Sequence, residues 1–307
     1  MLWSCLLQLG MKMWPTHKED HLEFEWPMWY EFIDKLKECG CNCVIIDIGE
    51  GIRFDSHPEL AVKDSWTKEE AAKEIARLKS LGFEVIPKLN FSCAHDMWLG
   101  KYAWMVGTPK YYEVVADVIA ETCELFKPKY FHLGMDEENA GIQAKYDFIR
   151  IRQNDLWWND LYFYIDCVEK GGARPMMWSD YARHHLEEFV EKCPKSMVQC
   201  VWYYFTVFDN MEEEKYRIRL LPFIECEKKG FDQLPTGTNT WDDRRENLRL
   251  LTDYVTDVIS DEHLFGIMQT PWKATMAVNR DKLFESAETI KESIAAYEAK
   301  MSAKNNA

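Results

Sequence analysis

Short apolar runs and longer stretches with helical spacing alternate along this chain eight times. The runs rich in β-formers predict strands over Leu2–Met11, Cys43–Ile48, Phe83–Asn90, Lys129–Gly134, Arg174–Trp178, Met197–Tyr203, Phe231–Leu234 and Leu264–Gln269. Between them, spacing predicts helices, for example over Trp29–Cys39, Lys68–Leu81 and Tyr111–Phe126. In the last of these Val114, Val115, Val118, Ile119 and Cys123 fall on one stripe. Gly40, Gly82, Gly171–Gly172 and Gly230 stand just ahead of predicted strands, where they close the preceding helix. Eight strictly alternating βα units predict a single (β/α)8 TIM barrel, with its active site at the C-terminal ends of the strands. No linker or fixed-period repeat interrupts the pattern, so one domain is expected over residues 1–294, with a frayed tail over 295–307.

The 307 residues carry a net charge of −15, which argues against nucleic acid or an anionic membrane as a partner. Ten cysteines are scattered without a CxxC pair and read as free, mostly buried thiols of a reducing compartment. The apolar N-terminus lacks a basic flank and a cleavage site and is too short to span a bilayer. It reads as a buried first strand, and a cytoplasmic location is expected.

The predicted strand ends carry the chemistry. Strand 1 ends in Lys12 and Trp14, strand 2 in Asp47 and Glu50, and strand 3 runs through Asn90 and Ser92 to His95. Strand 4 ends in Asp136 and Glu137, strand 5 in Trp178 and Asp180, and strand 6 in Trp202, Tyr203 and Tyr204. Strand 7 leads to Trp241, Asp242 and Asp243, and strand 8 to Trp272. Taken alone, the acids Asp136–Glu138 would cap a helix and each tryptophan would pack a core. Gathered at one barrel mouth, paired acids and indoles suit a polar ring that stacks on tryptophan beside an acid poised for a leaving oxygen. A basic or glycine-rich phosphate grip is missing after strands 7 and 8.

The segment KYFHLGMDEE resembles the HxGxDE signature of the family 20 glycoside hydrolases, the β-N-acetylhexosaminidases and their relatives; the matching residues are His132, Gly134, Asp136 and Glu137. Flanking segments ending in His95, in Trp178 and Asp180, in Trp202 and in Trp272 resemble the family's in order, over about residues 3–275. The resemblance implies substrate-assisted, retaining cleavage of a terminal β-linked N-acetylhexosamine or related sugar. Glu137 would be general acid and base, and Asp136 would orient the 2-acetamido group. His95, Trp178, Asp180, Trp202, Trp241, Asp243 and Trp272 would bind substrate; no metal and no cofactor are implied. Glu137 is expected in the drier, tryptophan-lined position. His132 is expected to hydrogen-bond beneath the acids.

Three positions depart from the family's pattern. Lys12 stands nearest to a strand-1 arginine, Trp241–Asp242–Asp243 replaces a Tyr-x-Asp setting, and Ala274 stands where a glutamate is usual. They keep a second reading open, a non-catalytic or weakly catalytic carbohydrate-binding barrel. A third reading, a metal-dependent hydrolase using His95, Asp47 and Asp136, lacks the strand-1 HxH pair of such barrels. The expected partner is a carbohydrate terminus, with neither nucleic acid nor membrane, and a homodimer is compatible with the sequence.

Overall fold

The computed structural model describes residues 1–146, 149–150 and 152–306. Its strands are β1 (Leu2–Gln8), β2 (Cys43–Asp47), β3 (Glu84–Lys88), β4 (Tyr130–His132), β5 (Arg174–Trp178), β6 (Val198–Cys200), β7 (Thr236–Thr238) and β8 (Gly266–Thr270). They form one eight-stranded parallel sheet in the order β6-β5-β4-β3-β2-β1-β8-β7, and the fold is a (β/α)8 TIM barrel. Parallel bridges Gln199–Gln233 and Trp202–Thr236 bring β6 and β7, the two ends of that order, together.

The chain divides into two compact units, residues 1–7, 25–44 and 178–307 in the first and residues 8–24 and 45–177 in the second. In the first, α1 (Trp26–Glu38) buries Met28, Trp29, Phe32, Ile33 and Leu36, one face of a 3.6-residue period. It begins three residues before the predicted start because Pro27 is tolerated in a first turn, where its missing N–H has no partner to lose. In the second, α3 (Pro109–Phe126) starts at Thr108, whose side chain accepts from the Tyr111 N–H at 3.3 Å. Val114, Val115, Val118 and Ile119 of α3 are fully buried, each contributing about 1.5–3 kcal/mol of apolar burial.

Strand 7 differs from expectation. The continuous strand forms at Thr236–Thr238, although Gln233, within the predicted Phe231–Leu234, already bridges to Gln199 on one side and Leu264 on the other. Those threonines are fully buried, and Thr238 Oγ1 donates to the Thr270 carbonyl at 2.6 Å. Gly237 carries no side chain because a Cβ there would meet Asn247 Oδ1 at 2.7 Å and Leu248 Cα at 3.2 Å, on the helix (α8, Asn247–Val258) that packs against it. A hydrophobicity pattern does not reach this polar part of the strand. Where the sequence predicts a frayed tail, α9 (Arg280–Asn305) continues as helix, with Lys300 Nζ donating to the Asp253 carbonyl at 2.5 Å and Lys304 Nζ to that of Thr256 at 2.6 Å.

All ten cysteines are free, and all but Cys167 are buried. Among the described residues no helix is long and apolar enough to cross a membrane.

Candidate active site

Strand β4 ends at His132, and the backbone then turns left-handed three times within four residues: Gly134 (φ 73°), Met135 (φ 75°) and Glu137 (φ 54°). Non-glycine residues rarely occupy that region, and two of them beside an acid pair mark a site where strain is held by surrounding contacts. In a regular strand neighbouring side chains point to opposite sides. Here the irregular backbone brings Asp136 and Glu137 to one place, as their adjacency in the sequence requires.

That place is defined by His95, in the loop after β3. Its Nε2 lies 3.4 Å from Asp136 Oδ2 and 3.3 Å from Glu137 Oε2. His95 is 3% exposed, and Trp14 meets its ring edge-on, with centroids 6.3 Å apart. Burial alone would push the His95 imidazolium toward its neutral form. The carboxylates of Asp136 and then Glu137 outweigh it and hold the pKa above the ordinary 6.5. Asn90 fixes the other side of Asp136: its Nδ2 donates to Oδ1 at 2.7 Å, while its Oδ1 accepts from the N–H groups of Ser92 (3.1 Å) and Met135 (3.2 Å). Ser92 Oγ donates to the Asp136 carbonyl at 2.5 Å.

Beneath the acids, His132 Nδ1 accepts the Gly134 N–H at 3.0 Å, the structural role expected of it. Burial, and secondarily the Lys88 cation, pushes its pKa well below the ordinary value, so it is a neutral acceptor. Lys88 is itself fully buried and donates to Asp47 Oδ2 at 2.5 Å. That pairing commits Asp47 to a cation and removes it from the metal set of the third reading.

Of the two acids, Asp136 is the more enclosed, with a side chain 11% exposed against 36% for Glu137. This reverses the expectation of Glu137 in the drier position. The difference is local: Asp136 is tied down by Asn90, whereas Glu137 sits on a left-handed turn with its side chain 36% exposed.

Two arginines that the sequence reading left without a role brace these loops. Arg150 makes a two-pronged pair with Asp96, at 2.7 and 2.8 Å, and donates to the Cys93 carbonyl at 2.9 Å, on either side of His95. Arg152, 6% exposed, makes a two-pronged pair with Glu138 at 2.9 and 3.0 Å and donates to Asp160 Oδ2 at 2.9 Å and the Phe91 carbonyl at 2.9 Å. It therefore clamps the residue next to Glu137. We expect Arg152→Lys, which keeps the charge but loses the fork, to cost about 1–3 kcal/mol in urea unfolding, because hydrogen bonds to buried charges are each of that order. Unchanged stability would show that the clamp carries no energy.

The predicted tryptophans fall in the other unit and form a cluster of their own. Trp178 is buried and lies 6.1 Å from Trp272, which has a left-handed backbone (φ 49°). Trp272 Nε1 donates to the Tyr204 hydroxyl at 3.1 Å, and Tyr204 stacks on Trp202 at 4.6 Å and approaches Trp241 at 6.3 Å. The Arg183 guanidinium lies 3.5 Å from the Trp202 ring centroid and 3.6 Å from Asp180. Arg183 is the member of this cluster that sequence reasoning missed, marked by its polar tip only after the fold is known, whereas Tyr204 stands among the predicted strand-6 end residues. Trp241 is 54% exposed, and Asp243, 68% exposed, pairs with Arg244 at 2.6 Å at the surface of that unit.

A (β/α)8 barrel that ends its fourth strand in paired acids, with a histidine between them, has the architecture of a barrel glycoside hydrolase. The chain belongs to glycosyl hydrolase family 20: the model of that family's catalytic domain matches residues 100–277, more than half of the chain and inclusive of Asp136 and Glu137. Among solved structures it is similar to an exo-β-N-acetylglucosaminidase of Vibrio harveyi, with 15% identity and a TM-score of 0.63 over 98% of this chain and 57% of that one. It is also similar to a β-N-acetylhexosaminidase with 12% identity and a TM-score of 0.68, over 99% of this chain and 75% of that one. A third is the β-N-acetylhexosaminidase of Bacteroides fragilis, with 14% identity and a TM-score of 0.61, over 93% of this chain and 64% of that one. This chain thus spans little more than half the length of the Vibrio enzyme. No curated protein matches it in sequence.

Proposed function

We propose that this chain hydrolyses terminal β-linked N-acetylhexosamine, or a close relative of it, with retention and with the substrate's own amide as nucleophile. Glu137 gives its proton to the glycosidic oxygen as the bond from that oxygen to the anomeric carbon breaks. The carbonyl oxygen of the 2-acetamido group attacks the same carbon, forming an oxazolinium ring. Asp136, charged and held by Asn90, orients the amide N–H and offsets the positive charge that develops on it. Glu137, now a carboxylate, takes a proton from water; the water oxygen bonds to the anomeric carbon, the ring opens, and the acetamido group is restored. Two successive displacements leave the β configuration unchanged. Trp178, Trp202, Trp241 and Trp272, with Asp180, His95 and Asp243, are the proposed sugar contacts.

The observation that carries this reading is the convergence of Asp136 and Glu137 on His95. His95 Nε2 stands within 3.4 Å of both carboxylates, and Glu137, its side chain 36% exposed against 11% for Asp136, is the more accessible of the two to a leaving group. A carbohydrate-binding barrel without turnover is the second reading, favoured by the surface pairing of Asp243 with Arg244. A panel of aryl β-glycosides with and without a 2-acetamido group separates the two. Turnover confined to the 2-acetamido members, and lowered about 10²–10³-fold by Asp136→Asn, supports the proposal, since that is the scale of one electrostatic contact to developing charge. Sugar binding without any turnover would replace it by the second reading.

A further inference from the structure

We propose that His95, Asp136 and Glu137 together bind a divalent transition-metal ion of the zinc type, and that the ion, by taking Glu137 as a ligand, switches hydrolysis off. The binding part stands on geometry alone; the inhibitory part rests on the glycosidase reading.

One nitrogen and two carboxylate oxygens from these residues lie within 4.8 Å of one another. The two separations from His95 Nε2, 3.4 and 3.3 Å, are long for a charge-assisted hydrogen bond, which prefers about 2.7–2.9 Å. They match the edges of a zinc tetrahedron: with metal–ligand bonds of about 2.0–2.1 Å, ligands stand about 3.3–3.4 Å apart. His95 is 3% exposed, and among the described residues neither of its ring nitrogens has a hydrogen-bond partner. A buried nitrogen set 3.3–3.4 Å from two carboxylate oxygens, beyond the close range of a charge-assisted hydrogen bond, is what a cation would satisfy.

Asp136 is already set for ligation, because Asn90 holds Oδ1 and leaves Oδ2 facing the histidine, the outer-shell arrangement typical of metal-bound carboxylates. One imidazole with two carboxylates suits zinc-type ions better than magnesium or calcium, which take all-oxygen shells of six or more. Three protein ligands leave the fourth position of a zinc tetrahedron open. His95 Nδ1 lacks an outer partner among the described residues, so affinity should fall about 10–100-fold below that of a fully supported site. The sequence showed no metal signature because the ligands come from two loops rather than from one His-x-His strand.

The test is titration calorimetry of the full chain, freed of metal with chelator, against zinc chloride, with cobalt(II) absorption to report the ligand atoms. The expected result is one saturable site, cobalt spectra without sulfur-to-metal charge transfer, and a loss of affinity of about tenfold or more in both His95→Ala and Glu137→Gln. Should His95→Ala fail to fold, Glu137→Gln, at a partly exposed position, still decides. Absence of saturable binding, affinity unchanged in Glu137→Gln, or thiolate bands that place the ion on cysteines would each overturn the site. Zinc should also abolish turnover, and chelator should restore it. If the metal-free chain binds zinc but turns over no glycoside, the metal site stands, and the glycosidase reading fails together with the inhibitory role.

Discussion

Glu137→Gln is expected to lower kcat by about 10²–10⁴-fold on a 2-acetamido β-glycoside with a poor leaving group, the range a general acid supplies. Glutamine keeps the shape of the side chain but cannot release a proton to the glycosidic oxygen. The loss should therefore shrink as the leaving group improves, because a stable phenolate departs with little protonation. Stability should change by no more than about 0.5 kcal/mol, since the side chain is 36% exposed and its neighbour His95 keeps Asp136. Steady-state kinetics over a series of aryl leaving groups reads both effects. An equal loss for good and poor leaving groups would take the acid role from Glu137.

Gly134→Ala should destabilise the fold by about 2–5 kcal/mol. Left-handed backbone costs an alanine about 1–2 kcal/mol, and overpacking a filled space costs about 1–3 more. The space here is filled: an added Cβ would lie 2.0 Å from Asn90 Oδ1, 2.3 Å from its Cγ and 2.7 Å from its Cα. The last of these is backbone, so rotating the Asn90 side chain cannot relieve the overlap. Any shift of Asn90 also releases Asp136 Oδ1, and activity should fall together with stability. Because the contact is direct, the costs of Gly134→Ala and Asn90→Ala should not add in a double-mutant cycle. Urea unfolding measures them, and a change within about 0.5 kcal/mol for Gly134→Ala would contradict this account of the turn.

Much of the barrel could be read from the chain because parallel strands covered on both faces are continuous apolar runs. Strand β2 is the clearest case, with Cys43 to Asp47 buried throughout. Strand β7 was legible only at its start, around Gln233, because the ladder continues through Thr236, Gly237 and Thr238, held by side-chain hydroxyls and by close approach of a helix. The acid pair and His95 were visible through residue type at strand ends. What holds them was not. Arg150 and Arg152 are single cations in a polar stretch, and nothing in their spacing announces that each closes a two-pronged pair beneath a different loop. The relative burial of Asp136 and Glu137 was also inverted, since it depends on backbone angles at two non-glycine residues that sequence patterns do not encode.

Participation of the substrate's amide is tested most directly by one rate series: kcat/KM for aryl β-glycosides whose 2-acetamido group carries zero, one, two and three fluorines. If the carbonyl oxygen is the nucleophile, withdrawing electrons from it must slow its attack, and the account predicts a progressive fall across the four substrates. A flat series would contradict it, leaving Glu137 as an acid but requiring a carboxylate of the protein to attack the sugar in place of the amide.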